Sequence, residues 1–378
     1  MKLKKALSLV LVCAMAVATL TACGSKEEGG NTFKIGGIGP VTGGAAVYGI
    51  AVQRGAELAV EEINAAGGVN GVQIEFQFED DEHDAEKAVN AYNTLKDWNM
   101  QMLMGTVTST PCQAVAEKTK EDNMYMLTPS GSAVPCIQYD NAFRVCFSDP
   151  NQGIASAQYI GANGLAKKVA VIYNSSDVYS QGIYEKFAGA AANQSFQIVA
   201  AEQFTSDSAT DFSVQLKKAQ DAGAELVFLP IYYQEASLIL QQADAMGFAP
   251  KFFGCDGLDG LLGVENFDTS LAEGVMLLTP FVAGDDDFSK DYKAKFGEDP
   301  IQFAADAYDA IYIMKAAMEK AGVKPDMSVS DMCEAMKKAM TEITVDGTTG
   351  TGMTWSADGE PSKEPKAMVI KDGQYVAM

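Results

Sequence analysis

Apolar and polar positions follow two alternating periods along this chain. Residues 33–38 are a short apolar run closed by Gly39-Pro40, and residues 50–64 place Val52, Ala56, Leu58, Ala59 and Ile63 at helical spacing before a Gly-rich stop. Residues 72–79 change to period two, with Val72, Ile74, Phe76 and Phe78 on one face of a strand. An amphipathic stretch at 85–98 and an apolar run at 100–104 follow. Pro111 suits the first turn of a helix, carried on by 114–122, and 124–127 is a second short buried strand. Residues 33–132 thus predict β-α-β-α-β-α-β, a doubly wound sheet.

The pattern restarts at a strand over 143–147. A break at 149–153 leads into a helix over 152–163 and a strand over 168–173. Alternation continues through helices at 180–193, 212–222 and 232–246 and strands at 196–204, 226–229 and 252–254. The tail adds a strand at 275–278, helices at 288–296, 304–321 and 330–340, and a last strand at 366–371. Two comparable α/β units in 378 residues fit two domains better than one. A tail still rich in both elements implies that the chain crosses between them more than twice.

The N-terminus reads as an export signal. Lys2, Lys4 and Lys5 precede an apolar segment at 6–20, too short for a comfortable membrane span. Removing it leaves 25 Lys+Arg against 50 Asp+Glu, near −25, which argues against a nucleic-acid partner and against a surface that hugs anionic lipid. Residues 24–31 form a polar, flexible tether.

Two consecutive strand ends deliver hydroxyl-rich turns: Thr106, Thr108, Ser109 and Thr110, then Thr128-Pro129-Ser130-Gly131-Ser132. The first opens a helix, whose free N–H groups and partial positive charge bind carboxylates. Both lie at the carboxyl edge of a parallel sheet, where ligands bind. One such turn alone would be an ordinary cap; two in succession point to a ligand anchor. Among the five cysteines after Cys23, Cys112 and Cys136 flank these turns and would staple them if the turns are neighbours; an odd count leaves at least one thiol free.

Catalytic and cofactor signatures are missing. His83 is the only histidine, and no Gly-x-Ser-x-Gly, His-Glu-x-x-His, Cys-x-x-Cys or phosphate-loop motif occurs. Gly36-Gly37-Ile38-Gly39-Pro40 lacks the dinucleotide fingerprint, and the acidic run 79–84 lacks calcium-loop spacing and reads as a solvated turn. No metal, no cofactor and no catalysis is the expectation.

The segments IGGIGPVTGGAAVY (35–48), AVQRGAELAVEEINAAGGVNG (51–71), TPSGS (128–132) and 143–153, in that order, resemble extracellular solute-binding proteins of the leucine/isoleucine/valine type, receptors of ABC importers. Leu20-Thr21-Ala22-Cys23 likewise resembles the lipobox of bacterial lipoproteins. The resemblance implies an α/β fold of two Rossmann-like doubly wound lobes joined by three crossovers and closing over a ligand. The organisation it implies is a signal peptide at 1–22, a lipidated Cys23 with its tether to 32, a first lobe at 33–147 plus 279–350, and a second at 148–278 plus 351–378. It also implies a monomer, lipid-anchored outside the cytoplasm, handing an amino acid to a membrane permease. Ser109, Ser132 and Gly131, with Ser130 adjacent, fall where the family binds the carboxylate and ammonium. Tyr48, Tyr179 and Tyr232 (or Tyr233) fall on its aromatic positions, and Asp256 on the acidic partner of the ammonium. The tyrosines are also ordinary packing aromatics and Asp256 an ordinary residue before a glycine turn. Two departures stand out: Asp256 is one methylene shorter than the family's Glu, and the disulfide of the best-known members reads His83 and Thr108. A sensory protein for an amide or organic acid on the same fold is the alternative.

Overall fold

A computed structural model describes residues 32–378. The expected leader, Cys23 and tether lie outside the described residues. The first sheet holds β1 (Thr32–Gly39), β2 (Gln73–Asp80), β3 (Met102–Gly105), β4 (Met126–Thr128) and β5 (Ala142–Arg144), all parallel, in the order β2-β1-β3-β4-β5. The β3 and β4 strands are buried along their whole length, which is why they read as continuous apolar runs. Their helices are α1 (Ala46–Ala65), α2 (Ala85–Asp97) and α3 (Ser109–Glu121).

The second sheet comprises β6 (Lys168–Asn174), β7 (Gln197–Phe204), β8 (Leu226–Leu229), β9 (Lys251–Gly254), β10 (Met276–Thr279), β11 (Lys366–Lys371) and β12 (Gln374–Ala377), in the order β12-β11-β10-β9-β8-β6-β7. Its helices are α4 (Asp149–Ala162), α5 (Val178–Ala191), α6 (Ser213–Asp221) and α7 (Tyr233–Ala245). The last two strands turn antiparallel, and β12 makes a C-terminal hairpin where sequence reading ended on one strand. The strand at which the pattern restarts, β5, pairs with β4 and so closes the first sheet instead of opening the second.

Between β10 and β11 run α8 (Asp287–Phe296), α9 (Gln302–Ala321) and α10 (Val329–Met340). The α9 helix returns to the first lobe and lies against α1: a Cβ on Gly55 would stand 2.1 Å from the Ala304 carbonyl oxygen, so only glycine permits this approach. The chain therefore passes between the layers three times, after β5, after β10 and before β11.

Several helices begin earlier than the sequence pattern indicates. The α1 helix starts within the Gly-rich loop, because Gly49 lets its first turn sit on Pro40, whose carbonyl oxygen a Cβ would approach to 1.8 Å. Pro111 is the third residue of α3 and Pro150 the second of α4, both in first turns whose N–H groups have no intrahelical partner. The acidic run is not a solvated turn throughout: Asp81 is fully buried, and Asp84 caps α2 by accepting from Lys87 N at 2.9 Å.

Candidate functional site

The two hydroxyl turns are neighbours. Ser109, the first residue of α3, accepts at Oγ from Ala133 N at 3.2 Å. Thr128 Oγ1 donates to Thr106 O (2.6 Å) and accepts from Gly131 N (2.7 Å), while Ser130 Oγ donates to Val107 O (2.7 Å). The Ser130 proton is thus engaged in joining the turns, and the Gly131 N–H in closing the second one. Ser132 Oγ makes no hydrogen bond among the described residues and sits beside the Asp149 carboxyl. The fully buried Arg144 donates through its terminal nitrogens to the carbonyls of Gly131, Ser132 and Ala133 and lies 3.4 Å from Glu360.

Cys112 and Cys136 correct one expectation: both stand as buried free thiols, with no disulfide between them. The staple is made instead by the hydroxyls and by Cys136 Sγ, 3.5 Å from Ser109 O.

Across the cleft, Asp256 follows β9 in a short turn at Asp256–Leu258. Tyr179 Oη donates to its Oδ1 at 2.8 Å and accepts from Gly257 N at 3.0 Å. Gln152 closes a reciprocal pair, Nε2 to Asp256 Oδ2 at 3.0 Å and Asp256 N to Oε1 at 3.2 Å. Burial pushes the Asp256 carboxyl up to about 7, against these donors. Tyr232 precedes α7 and stacks on Tyr179, 4.7 Å between centroids at 9°. From the first lobe, Tyr48 donates to Gly257 O at 2.5 Å, accepts from Tyr233 N at 3.2 Å and stacks on Phe303 at 4.0 Å. Tyr48, Tyr179, Tyr232 and Asp256 therefore form one cluster.

Sequence reasoning missed what joins cluster and anchor. Asp149, the first residue of α4, is buried with neither carboxylate oxygen hydrogen bonded, lies within electrostatic reach of Asp256 and is driven well above the usual carboxylate range by burial. Its signal was available: an Asp-Pro directly after a strand opens a helix. Asp177 caps α5 and accepts from Thr110 Oγ1 of the first lobe at 3.1 Å. The two positions of the family disulfide do meet, through a 2.8 Å hydrogen bond between His83 Nδ1 and Thr108 Oγ1. The His83 ring meets Tyr232 edge to face at 5.5 Å, and burial lowers its basicity although Asp177 opposes this. A separate cavity of about 670 Å³ lies between Val47, Arg54, Asp259, Phe281 and Tyr375. Among the described residues no group of His, Cys, Asp and Glu is placed to hold a metal, and no helix is long and apolar enough to cross a membrane.

Two lobes of this topology with hydroxyl turns facing an acid–tyrosine cluster define a receptor-type binding fold, and the comparisons agree. Residues 32–374 match the family described as periplasmic binding protein, and the chain belongs to that family. It is 30% identical over 372 residues to the Leu/Ile/Val-binding protein homolog 3 of Brucella melitensis, covering 96% of this chain and 98% of that one. It is 29% identical over 331 residues to a leucine-, isoleucine-, valine-, threonine- and alanine-binding protein of Pseudomonas aeruginosa, covering 86% and 87%. Its fold superposes on the isoleucine complex of the branched-chain amino acid transporter substrate-binding protein LivJ from Streptococcus pneumoniae with a TM-score of 0.83, at 28% identity, covering 92% of this chain and 98% of that one.

Proposed function

We propose that this chain is the solute receptor of an ABC importer and captures an amino acid between its lobes without chemical change. The observation that carries this reading is the pairing of a hydroxyl anchor on one lobe with a buried carboxylate, Asp256, on the other. A zwitterion matches it end for end. Ser109 and Ser132, with Ser130 and Gly131 framing their turn, hold the carboxylate at the α3 N-terminus. Asp256, positioned by Tyr179 and Gln152, takes the ammonium, and Tyr48 and Tyr232 wall the side chain. Residues 33–147 and 279–350 would move as one lobe against 148–278 and 351–378. The protein works as a monomer, tethered outside the cytoplasm through lipid on Cys23, and delivers its ligand to a permease.

Calorimetric titration of the purified chain with the proteinogenic amino acids tests the binding reading: at least one should bind with micromolar or better affinity, and none binding at millimolar concentration would overturn it. Cys23→Ala should abolish membrane retention, since the acyl chains supply the membrane affinity; a correctly cleaved variant that stays on the membrane would defeat the anchor.

A further inference from the structure

Beside the Asp256 cluster lie acceptors that the protein itself leaves unanswered. Tyr232 Oη and Glu235 Oε2 are buried atoms without a hydrogen-bond partner, as are both carboxylate oxygens of Asp149. Asp149 is 1% exposed, so water does not answer it. Asp177 stands next to both Tyr232 and Glu235, bringing a third carboxyl to the same place.

Basic groups do not balance these acids. Among the described residues His83 is the titratable base turned toward them; its Nδ1 is held by Thr108 and burial lowers the basicity of its ring. The charge of Arg144 is turned to three backbone carbonyls and Glu360. The walls are the faces of Tyr48, Tyr179 and Tyr232, stacked or edge-packed at 4.7 to 5.8 Å. Aromatic faces attract cations as readily as they pack methyl groups.

A zwitterion with an aliphatic side chain would answer one carboxylate, at Asp256, and leave the Asp149 oxygens, Glu235 Oε2 and Tyr232 Oη desolvated and unpaired, each at a cost. Resting on the reading that the cleft holds an amino acid, we infer that its ligand is one whose side chain ends in N–H donors, as an ammonium, guanidinium or carboxamide, and not a branched aliphatic one. Glu235 and Tyr232 then receive those donors while Asp256 receives the α-ammonium. This separates the chain from relatives whose names carry leucine, isoleucine and valine. A site built to hydrogen-bond a substrate group rejects analogues lacking it far more strongly than an apolar pocket discriminates by size.

The test is a calorimetric panel on the unaltered protein: arginine, lysine, ornithine, glutamine and asparagine against leucine, isoleucine and valine. At least one donor-ended ligand should bind ten times more tightly than the best branched one, and Glu235→Gln should cut that ratio several-fold. Branched ligands binding equally or more tightly would overturn the inference while leaving an amino-acid receptor intact. A ratio unmoved in a folded Glu235→Gln variant would also overturn it. Binding of neither set would instead remove the amino-acid reading itself, and this inference with it.

Discussion

The two faces of the cleft differ in how far they satisfy themselves. On the first lobe nearly every polar group in the anchor turns has a partner: Thr128, Ser130 and Ser109 join the turns, and Arg144 holds three carbonyls behind them. On the second, carboxyls are buried faster than they are paired, with neither Asp149 carboxylate oxygen hydrogen bonded and Asp256 raised to about 7. On the proposed reading one face is a preorganised mould, and the other buries acids that a ligand cation would pair. Affinity should therefore depend mostly on the second lobe, and geometric selectivity for the carboxylate on the first.

Asp256→Asn should show the largest effect. Leaving a buried ammonium without its charge partner typically costs about 3–5 kcal/mol, at least a hundredfold in Kd. Calorimetry giving parental affinity would mean that the ligand carries no cation at that point.

Ser109→Ala should cost less, about 1–3 kcal/mol, through one hydrogen bond to a carboxylate and the loosened tie to Ala133. A loss exceeding that of Asp256→Asn would reverse the comparison between the faces.

The last effect is on stability against pH, read in Tm and not in affinity. Asp81, Glu235, Asp256 and Asp259 are each raised to about 7 by burial, above their unfolded values near 4. The folded state then binds more protons than the unfolded one between about pH 4 and 7, so ligand-free stability falls as pH rises through that window. Asp140, lowered to about 2 by Lys120 and Lys337, acts in the opposite sense only below pH 4. Thermal melts should show a higher Tm at pH 5 than at pH 7.5 without ligand. A saturating amino acid should flatten the difference, because its ammonium favours the ionised Asp256. A Tm that rises from pH 5 to 7.5 without ligand would contradict the burial of uncompensated acids.

The same contrast sets what was readable in the sequence. The lobes and the anchor turns were legible because they are local: a period of two or 3.6, and a hydroxyl turn following a strand. Helix starts were less so: Pro111 marked the first turn of α3, but Gly49 reads as part of a Gly-rich loop until its close approach to Pro40 is visible. Asp256 was placed by resemblance, but its partner Gln152 lies 104 residues away, and the Thr110–Asp177 contact spans 67. No window of sequence reports such pairs. The Cys112–Cys136 staple failed for the same reason in reverse: proximity was inferred correctly, but hydroxyls already join the turns.

Arg144 gives the receptor a mechanical asymmetry. Its guanidinium grips the second anchor turn, its N–H donates to Gly359 O at 3.1 Å, and its carbonyl accepts from Trp355 Nε1 at 2.8 Å, both in the third crossover. On the proposed reading the ligand's carboxylate would then be seated beside that crossover, where displacement on closure is least, while Asp256 would ride on the moving arm. Docking and clamping would become separable in time. Encounter would be governed by a seat that barely moves, and residence by how long the arm stays down. Changes to the arm should be read in dissociation rates, and changes to the seat in association rates.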